Sequence, residues 1–289
     1  MLSGRLGLDR SRVPHTDRHG LISLSRGHLR VRAGTLVFGQ DPDGVFPEGE
    51  YDIPVQTISM VLLGPGSTVS HDALRILSVY GAGLAAVGDD GVRLYTAPPV
   101  GLPASALARR HATLWADPEA RIKVARRMYA WRFGEVLPHR RLDVLRGMEG
   151  ARVKVMYQAT AQRCGVNWNG RRYDRQTPGA ADLPNQAINH ASAAVEAAAA
   201  IAVTATGSIP ALGFIHEDPG QSFILDIADL FRAEITVPCA FRAVRQEERQ
   251  GVGIERLTRK EVGKTLREKK VIAEMITKIK SIFDEDGPD

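Results

Sequence analysis

Residues 213–232 read GFIHEDPGQSFILDIADLFR and join a loop to a helix in the last third of the chain. His216 follows an apolar approach, and the turn residues at 217–220 precede a predicted helix whose other residues are mostly apolar. Asp226 and Asp229 are three residues apart in that helix, so they share one face. Two carboxylates in such an apolar run are costly to bury unless they are paired or bound to a cation. The stretch therefore predicts a divalent-metal site, with pairing of the acids to arginines as the alternative.

The composition is that of an ordinary globular protein. Of the 289 residues, 44% are hydrophobic and 25% are charged. The N-terminal residues lack an apolar core, so no signal peptide is predicted. The alanine-rich stretch 191–206 is too short for a membrane span and is interrupted by Glu196. Cys164 and Cys239 have no metal-ligand spacing, which favours a reduced cytoplasm and no membrane.

The charge is unevenly distributed along the chain. Residues 101–180 carry 16 basic and 6 acidic side chains, whereas residues 1–100 carry 9 and 10, and residues 181–289 carry 13 and 17. The basic residues of the middle third are mostly arginines, whose planar guanidinium suits phosphate. A nucleic-acid backbone is the partner that this pattern favours. Solvated helix faces are the alternative interpretation of a charge run alone.

The periodicity changes once along the chain. Short apolar and polar alternations with Gly-containing turns predict strands up to Tyr95, and helical spacing dominates afterwards. The predicted class is α+β multidomain, with a small N-terminal β-domain followed by a larger all-α C-terminal metal-binding domain. The predicted segments are a β-domain at 1–97, a proline-containing linker at 98–104, a helical domain at 105–283 and an acidic tail at 284–289. The last three helices of the helical domain are predicted at 222–234, 238–249 and 258–283.

A further acidic residue stands in the helical segment LRGMEGARVKVMY at 145–157. Glu149 has a glycine two residues before it and another directly after it, and glycine in a helix costs about 1 kcal/mol relative to alanine. That cost suggests close approach of a backbone or a ligand. The alternative is a structural role for Glu149, in a surface ion pair with Arg152.

One glutamate, one histidine and one or two aspartates form a hard, mostly oxygen donor set. Such a set, here Glu149, His216, Asp226 and Asp229, suits Mg²⁺ or Mn²⁺ better than structural zinc, which prefers cysteine and histidine. Combined with the arginine-rich third, it predicts metal-assisted chemistry on a phosphodiester. No P-loop or dinucleotide-binding pattern competes with this interpretation.

The chain resembles the integrase–endonuclease subunit of the CRISPR adaptation machinery, most closely its subtype I-E form. The resemblance covers almost the whole length and is carried by SHDALRILSVYGAGLAAVGDDGVRLY at 70–95, RFGE at 132–135, RGMEGARVK at 146–154, CGVNWNGRRYD at 164–174, IPALGFIH at 209–216 and SFILDIADLFR at 222–232.

The resemblance implies a site and an activity. Its metal ligands, for Mg²⁺ or Mn²⁺, correspond to Glu149, His216 and Asp229, and Asp226 takes the accessory acidic position. The implied protein is an integrase and endonuclease that joins short duplexes of foreign DNA into a CRISPR array by attack of a 3′-hydroxyl on a phosphodiester. The implied assembly is a homodimer, two of which flank a small ferredoxin-like second subunit on double-stranded and branched DNA.

The resemblance also indicates residues that hold the DNA. Arg93 and Arg232 match basic positions of the family, and Arg171 and Arg172 are further candidates. Two alternatives stay open: a non-catalytic DNA-binding scaffold, and an RNA-processing nuclease that uses the same chemistry.

Overall fold

The structure is a computed structural model that describes residues 20–44, 46–96, 105–139, 141–172, 181–217 and 220–284. The predicted linker at 98–104 lies outside these residues, and so does the predicted tail beyond Asp284. The chain divides into two compact units, the first ending at Leu84 and the second beginning at Ala85. Residues 85–96 group with the helical unit, and the predicted domain limits stay a prediction.

The first unit is built mainly of strands. Its elements are β1 (Gly20–Leu24), β2 (Gly27–Arg32), β3 (Thr35–Gln40), β4 (Gly49–Asp52), β5 (Ile58–Leu63), β6 (Ser67–Val69), α1 (His71–Tyr80) and the start of β7 (Gly83–Val87). One sheet has the order β4-β3-β2-β6, with Leu29 of β2 opposite Phe38 of β3. In the other, β1 pairs in parallel with β5. The apolar residues of these strands are buried together with those of α1. Side chains along a strand point alternately to its two faces, so one face of a strand can be buried.

Local sequence signals explain the ends of several elements. The Ser70 side chain accepts a hydrogen bond from the Ala73 amide and caps α1, and Gly81 ends that helix with a left-handed conformation. Pro118 stands in the first turn of α3, and the Asp117 side chain caps it.

The second unit is mostly helical. It contains the end of β7, β8 (Leu94–Thr96), α2 (Ala106–Ala116), α3 (Pro118–Phe133), α4 (Leu142–Cys164), α5 (Leu183–Thr206), α6 (Ser222–Leu230), α7 (Val237–Gln250), α8 (Ile254–Glu268) and α9 (Val271–Phe283). The predicted order of a β-domain followed by a mostly helical region is confirmed.

Helix α5 lies at the centre of the helical unit, in contact with α6, α7, α8 and α9. Seven of its ten alanines are buried, and their small side chains allow the neighbouring helices to approach closely. The helix that contains the stretch 191–206 has 24 residues and passes the length and mean hydropathy of a membrane span. However, 61% of its most apolar window is buried inside the protein, as in the core helix of a globular fold.

Two predicted helix limits were wrong. The segment predicted as one helix at 258–283 forms α8 and α9, and Lys270 between them has a φ of 53°. The helix predicted at 222–234 ends at Leu230 and is followed by a π-helical turn at Arg232–Thr236. Both breaks occur within sequences of good helical propensity, so tertiary packing decides them.

Candidate active site

The loop between α5 and α6 carries His216 and is held by a buried carboxylate. Asp226 of α6 has a fully buried side chain. One of its oxygens accepts hydrogen bonds from the backbone amides of Phe214 and Ile215 at 2.6 and 3.0 Å. The other accepts from the His216 amide at 3.0 Å and contacts the His216 Nδ1 at 2.7 Å. These contacts satisfy the buried charge of Asp226 and fix both the loop and the imidazole.

Side chains of helix α2 hold the same loop by binding the carbonyl groups of the loop backbone. The His111 Nε2 donates to the Leu212 carbonyl at 2.7 Å, and the Trp115 Nε1 donates to the Gly213 carbonyl at 2.9 Å. The Ile209 amide donates to the His111 Nδ1 at 3.2 Å, which defines a neutral imidazole. Burial lowers the pKa of His111 to about 4, against the opposing effects of the Leu212 carbonyl and Asp226. The loop is therefore fixed on both sides, which keeps His216 at one position.

Glu149 and Asp229 are joined by a buried arginine. The Arg132 Nη1, on α3, lies 2.6 Å from Oε1 of Glu149 on α4 and 3.5 Å from Oδ2 of Asp229 on α6. The Tyr129 hydroxyl donates to Oε2 of Glu149 at 2.8 Å. Arg232 donates to Oδ1 of Asp229 through both Nε and Nη2. Each carboxylate oxygen of this pair thus has a cationic or hydroxyl partner.

Glu196 of α5 belongs to the same electrostatic environment. Burial, followed by the charge of Asp229, raises the pKa of Glu196, while Arg232 and His216 act in the opposite direction. The pKa of His216 is raised mainly by its hydrogen bond to Asp226, against burial. The region therefore collects carboxylates from three helices around one imidazole and two arginines.

The predicted residues come together in two groups. Glu149 and Asp229 meet through Arg132, and His216 meets Asp226. Within the described ranges, no group of three or more His, Cys, Asp or Glu side chains is arranged to hold a metal ion. Asp226 faces the backbone of the loop, so it stands behind His216 as a positioning residue and has no oxygen left for a ligand.

The donor chemistry nevertheless fits a hard divalent cation. Glu149 and Asp229 are carboxylates held around a single cationic group, and Nδ1 of His216 is engaged by Asp226. The Nε2 of His216 has no hydrogen-bond partner among the described residues. A histidine with one ring nitrogen on a carboxylate and the other unengaged is typical of a metal ligand. The residues that could hold an ion are thus Glu149, Asp229 and His216.

The arginines predicted to contact DNA lie in different surroundings. Arg93 is half exposed and pairs with Glu255 at 2.9 Å. Arg171 donates to the Asn185 and Asn189 side chains, and the backbone amide of Arg172 also donates to Asn185. Arg232 is buried against Asp229 and also donates to the Tyr157 hydroxyl, so it is part of the carboxylate centre.

Residue-by-residue reasoning missed three members of this site. Arg132 opens the RFGE segment, which carried the family resemblance without an assigned role, and Tyr129 lies one helical turn before it. Glu196 was considered only as a polar interruption of an apolar stretch. An isolated acid in an alanine-rich core helix is the signal that could have identified it. The surface pair between Glu149 and Arg152 does not form, because Arg152 pairs with Glu135.

Sequence and structure comparisons reveal relatives of the chain. The profile of the family described as "CRISPR associated protein Cas1" matches residues 134–271. The "CRISPR-associated endonuclease Cas1" of Geobacter sulfurreducens is 38% identical over 281 residues, which cover 96% of this chain and 88% of that protein. The protein of the same description from Escherichia coli K12 is 35% identical over 272 residues, covering 94% and 87%.

The fold has solved counterparts as well. A structure described as "Crystal structure of TtCas1-DNA complex" superimposes with a TM-score of 0.84 at 32% identity, covering 93% of this chain and 98% of that one. A "Casposase bound to integration product" superimposes with a TM-score of 0.65 over 91% and 95% of the two chains. Its identity of 14% makes it a similarity of fold alone.

Proposed function

The chain belongs to the CRISPR-associated endonuclease Cas1 family, and from this premise we propose that it integrates short foreign-DNA spacers into a CRISPR array. In this reaction the 3′-hydroxyl of a captured duplex attacks a phosphodiester of the array, a new P–O bond forms, and the 3′-oxygen of the array strand leaves with a proton. Water replaces the attacking hydroxyl in the nuclease reaction. The observation that carries the proposal is the pair of Glu149 and Asp229, joined through the buried Arg132, beside a histidine oriented by Asp226. A solved relative described as a DNA complex supports DNA as the ligand.

Glu149, Asp229 and the Nε2 of His216 are the residues that we propose to hold Mg²⁺ or Mn²⁺. Two carboxylates and one imidazole match the ligand preference of these ions. When bound, such an ion supplies Lewis-acid stabilisation of the charge that develops on the attacked phosphate and lowers the pKa of the attacking hydroxyl. In the neutral imidazole, the pairing of Asp226 with Nδ1 places the proton on Nδ1 and leaves the Nε2 lone pair for an ion.

The remaining residues of the site position these ligands. The Tyr129 hydroxyl fixes one oxygen of Glu149, and Arg232 fixes one oxygen of Asp229. Because α3, α4 and α6 each contribute to the site, their packing sets the separation of the two carboxylates. Preorganised charge of this kind stabilises a transition state without reorganisation during the reaction.

DNA is proposed to lie along the basic part of the helical unit. Arg93 is half exposed on the second unit and is a proposed phosphate contact, together with Arg171 and Arg172. Arg232 was predicted as a DNA contact, and we assign it first to Asp229, since both its Nε and its Nη2 are engaged there.

The finer features implied by the resemblance are part of the proposal. They comprise the subtype I-E form, a homodimer, a small ferredoxin-like second subunit, branched DNA as a substrate and a cytoplasmic location. The E. coli relative supports the subtype assignment. Exposed Leu74 and Val79 on α1 supply apolar surface for self-association in the first unit.

A half-site integration assay with Mg²⁺ or Mn²⁺ tests the function. We expect His216→Ala and Asp229→Ala to abolish strand transfer, while both variants fold and bind DNA. Asp143→Ala, which removes an exposed acid paired with Arg141, is the matched control and is expected to retain activity. Wild-type strand transfer by both site variants, or full activity in chelator, would refute the proposed metal-dependent site. A wild-type protein that binds DNA but is inert with Mn²⁺ would instead indicate a DNA-binding scaffold. Parallel digestion of RNA and DNA separates the integrase from an RNA nuclease.

A further inference from the structure

One nitrogen of a buried arginine lies within ion-pair distance of both acids proposed as metal ligands. The Arg132 Nη1 is 2.6 Å from Glu149 and 3.5 Å from Asp229, and its side chain is only 5% exposed. Two buried carboxylates facing each other repel unless a cation stands between them. In this structure that cation is the guanidinium of Arg132.

The other oxygens of the two acids are occupied as well. Tyr129 donates to Glu149, and Arg232 donates to Asp229. Across the part of the chain that the structure describes, no set of three His, Cys, Asp or Glu side chains converges on one point. The carboxylate pair is therefore satisfied without a metal ion, and its geometry is set by arginine.

We propose that Arg132 is an internal counter-ion that competes with the divalent cation for Glu149 and Asp229. Metal binding then requires the guanidinium to withdraw from the pair. The inference rests on the metal site proposed above. An arginine keeps its charge at any ordinary pH, so it cannot become neutral when the ion arrives. It is therefore repelled by the dication and must move away from the two carboxylates, and the loss of its ion pairs lowers the metal affinity.

Mn²⁺ binding to the DNA-free protein measures this competition without an activity readout. The concentration of free Mn²⁺ is followed by its electron paramagnetic resonance signal for the wild type, Arg132→Gln, Arg132→Lys and Arg152→Gln. Glutamine keeps an amide donor and removes the charge, whereas lysine keeps the charge. Arg152 is the matched control, since it lies one turn beyond Glu149 but pairs with Glu135.

The expected result is tighter Mn²⁺ binding by R132Q alone. A charge at this distance shifts an ionic equilibrium by about tenfold or more, so the dissociation constant of R132Q should fall about tenfold. R132K keeps the charge between the two acids, and R152Q removes only a charge that is paired with Glu135, so both should stay within about twofold of the wild type. Unchanged or weaker Mn²⁺ binding by R132Q would refute the proposed competition between Arg132 and the metal ion.

A second measurement uses the wild-type protein and does not depend on the stability of R132Q. The Nε–H resonance of Arg132, assigned by its loss in R132K, should shift on titration with diamagnetic Mg²⁺. A resonance that does not change at saturation overturns the withdrawal of the guanidinium. If wild type and all variants bind no Mn²⁺, the metal site itself fails and the inference with it. If all bind equally and Asp229→Ala abolishes binding, the metal site stands and only the role of Arg132 is refuted.

Discussion

Replacing Asp226 with asparagine should destabilise the helical unit by about 3 kcal/mol. The Asp226 carboxylate receives the amides of Phe214 and Ile215 on one oxygen and the His216 amide and Nδ1 on the other. Asparagine keeps the shape but replaces one acceptor oxygen with a donor nitrogen, so at least one backbone-amide contact is lost, and the remaining contacts lose their charged acceptor. A hydrogen bond to a charged group is worth about 1.5 kcal/mol, and the lost contact together with the weakening of the others sums to about 3 kcal/mol.

The orientation of the asparagine has a chemical consequence for His216. If its amide nitrogen faces the imidazole, Nδ1 becomes the acceptor and the proton moves to Nε2. The imidazole then has no lone pair for an ion. D226N should therefore lose Mn²⁺ affinity and strand transfer as well as stability.

Urea unfolding at pH 7, followed by tryptophan fluorescence, measures the stability effect. Trp115, Trp131 and Trp168 are the three tryptophans of the chain and all belong to the helical unit, so their signal reports that unit. Asp143→Asn on the exposed first turn of α4 is the matched control and should leave the midpoint unchanged. A loss below about 1 kcal/mol for D226N would refute the view that these four contacts hold the loop.

The loop that carries His216 supports two further predictions. His111 has a pKa of about 4 in the folded state, below its usual value, so the stability it contributes is complete above about pH 6.5 and is lost as the pH falls to about 4. This loss amounts to about 3 kcal/mol relative to His111→Gln in the same urea experiment, and equal pH profiles would contradict it. Gly213→Ala would bring a Cβ atom within 2.4 Å of the His216 carbonyl oxygen. We expect a destabilisation of about 1–3 kcal/mol and loss of strand transfer, whereas Gly220→Ala, in open space, should preserve both; equal behaviour of the two variants would refute the close approach.

Much of the secondary structure could be predicted because its signals are local. Ser70 caps α1, Pro118 begins α3 and Gly165 ends α4, and each acts through its own backbone or side chain. The break at Lys270 and the π-helical turn after Leu230 carry no such signal. Both lie in helix-forming sequence, and the packing of neighbouring helices decides them.

The types of residue in the candidate site could be predicted from the sequence, but the contacts between their side chains could not. Glu149, His216 and Asp229 were identified from their chemistry and from the family resemblance, and their role as ligands stays a prediction. The spacing of Asp226 and Asp229 could not separate their surroundings, because residues three apart on a helix share a face. Only the folded loop separates them, since three backbone amides converge on Asp226 and two guanidinium groups on Asp229.

The sequence by itself determined the order of a β-domain and a helical domain, the basic middle third and the acids and histidine of the candidate site. These follow from periodicity, charge and residue chemistry, which are properties of neighbouring residues. Tertiary structure alone decided that Arg132 stands between Glu149 and Asp229, and that Tyr129 holds one of them. Side chains on three helices make these contacts, and their separation depends on how the helices pack, which no local pattern in the chain encodes.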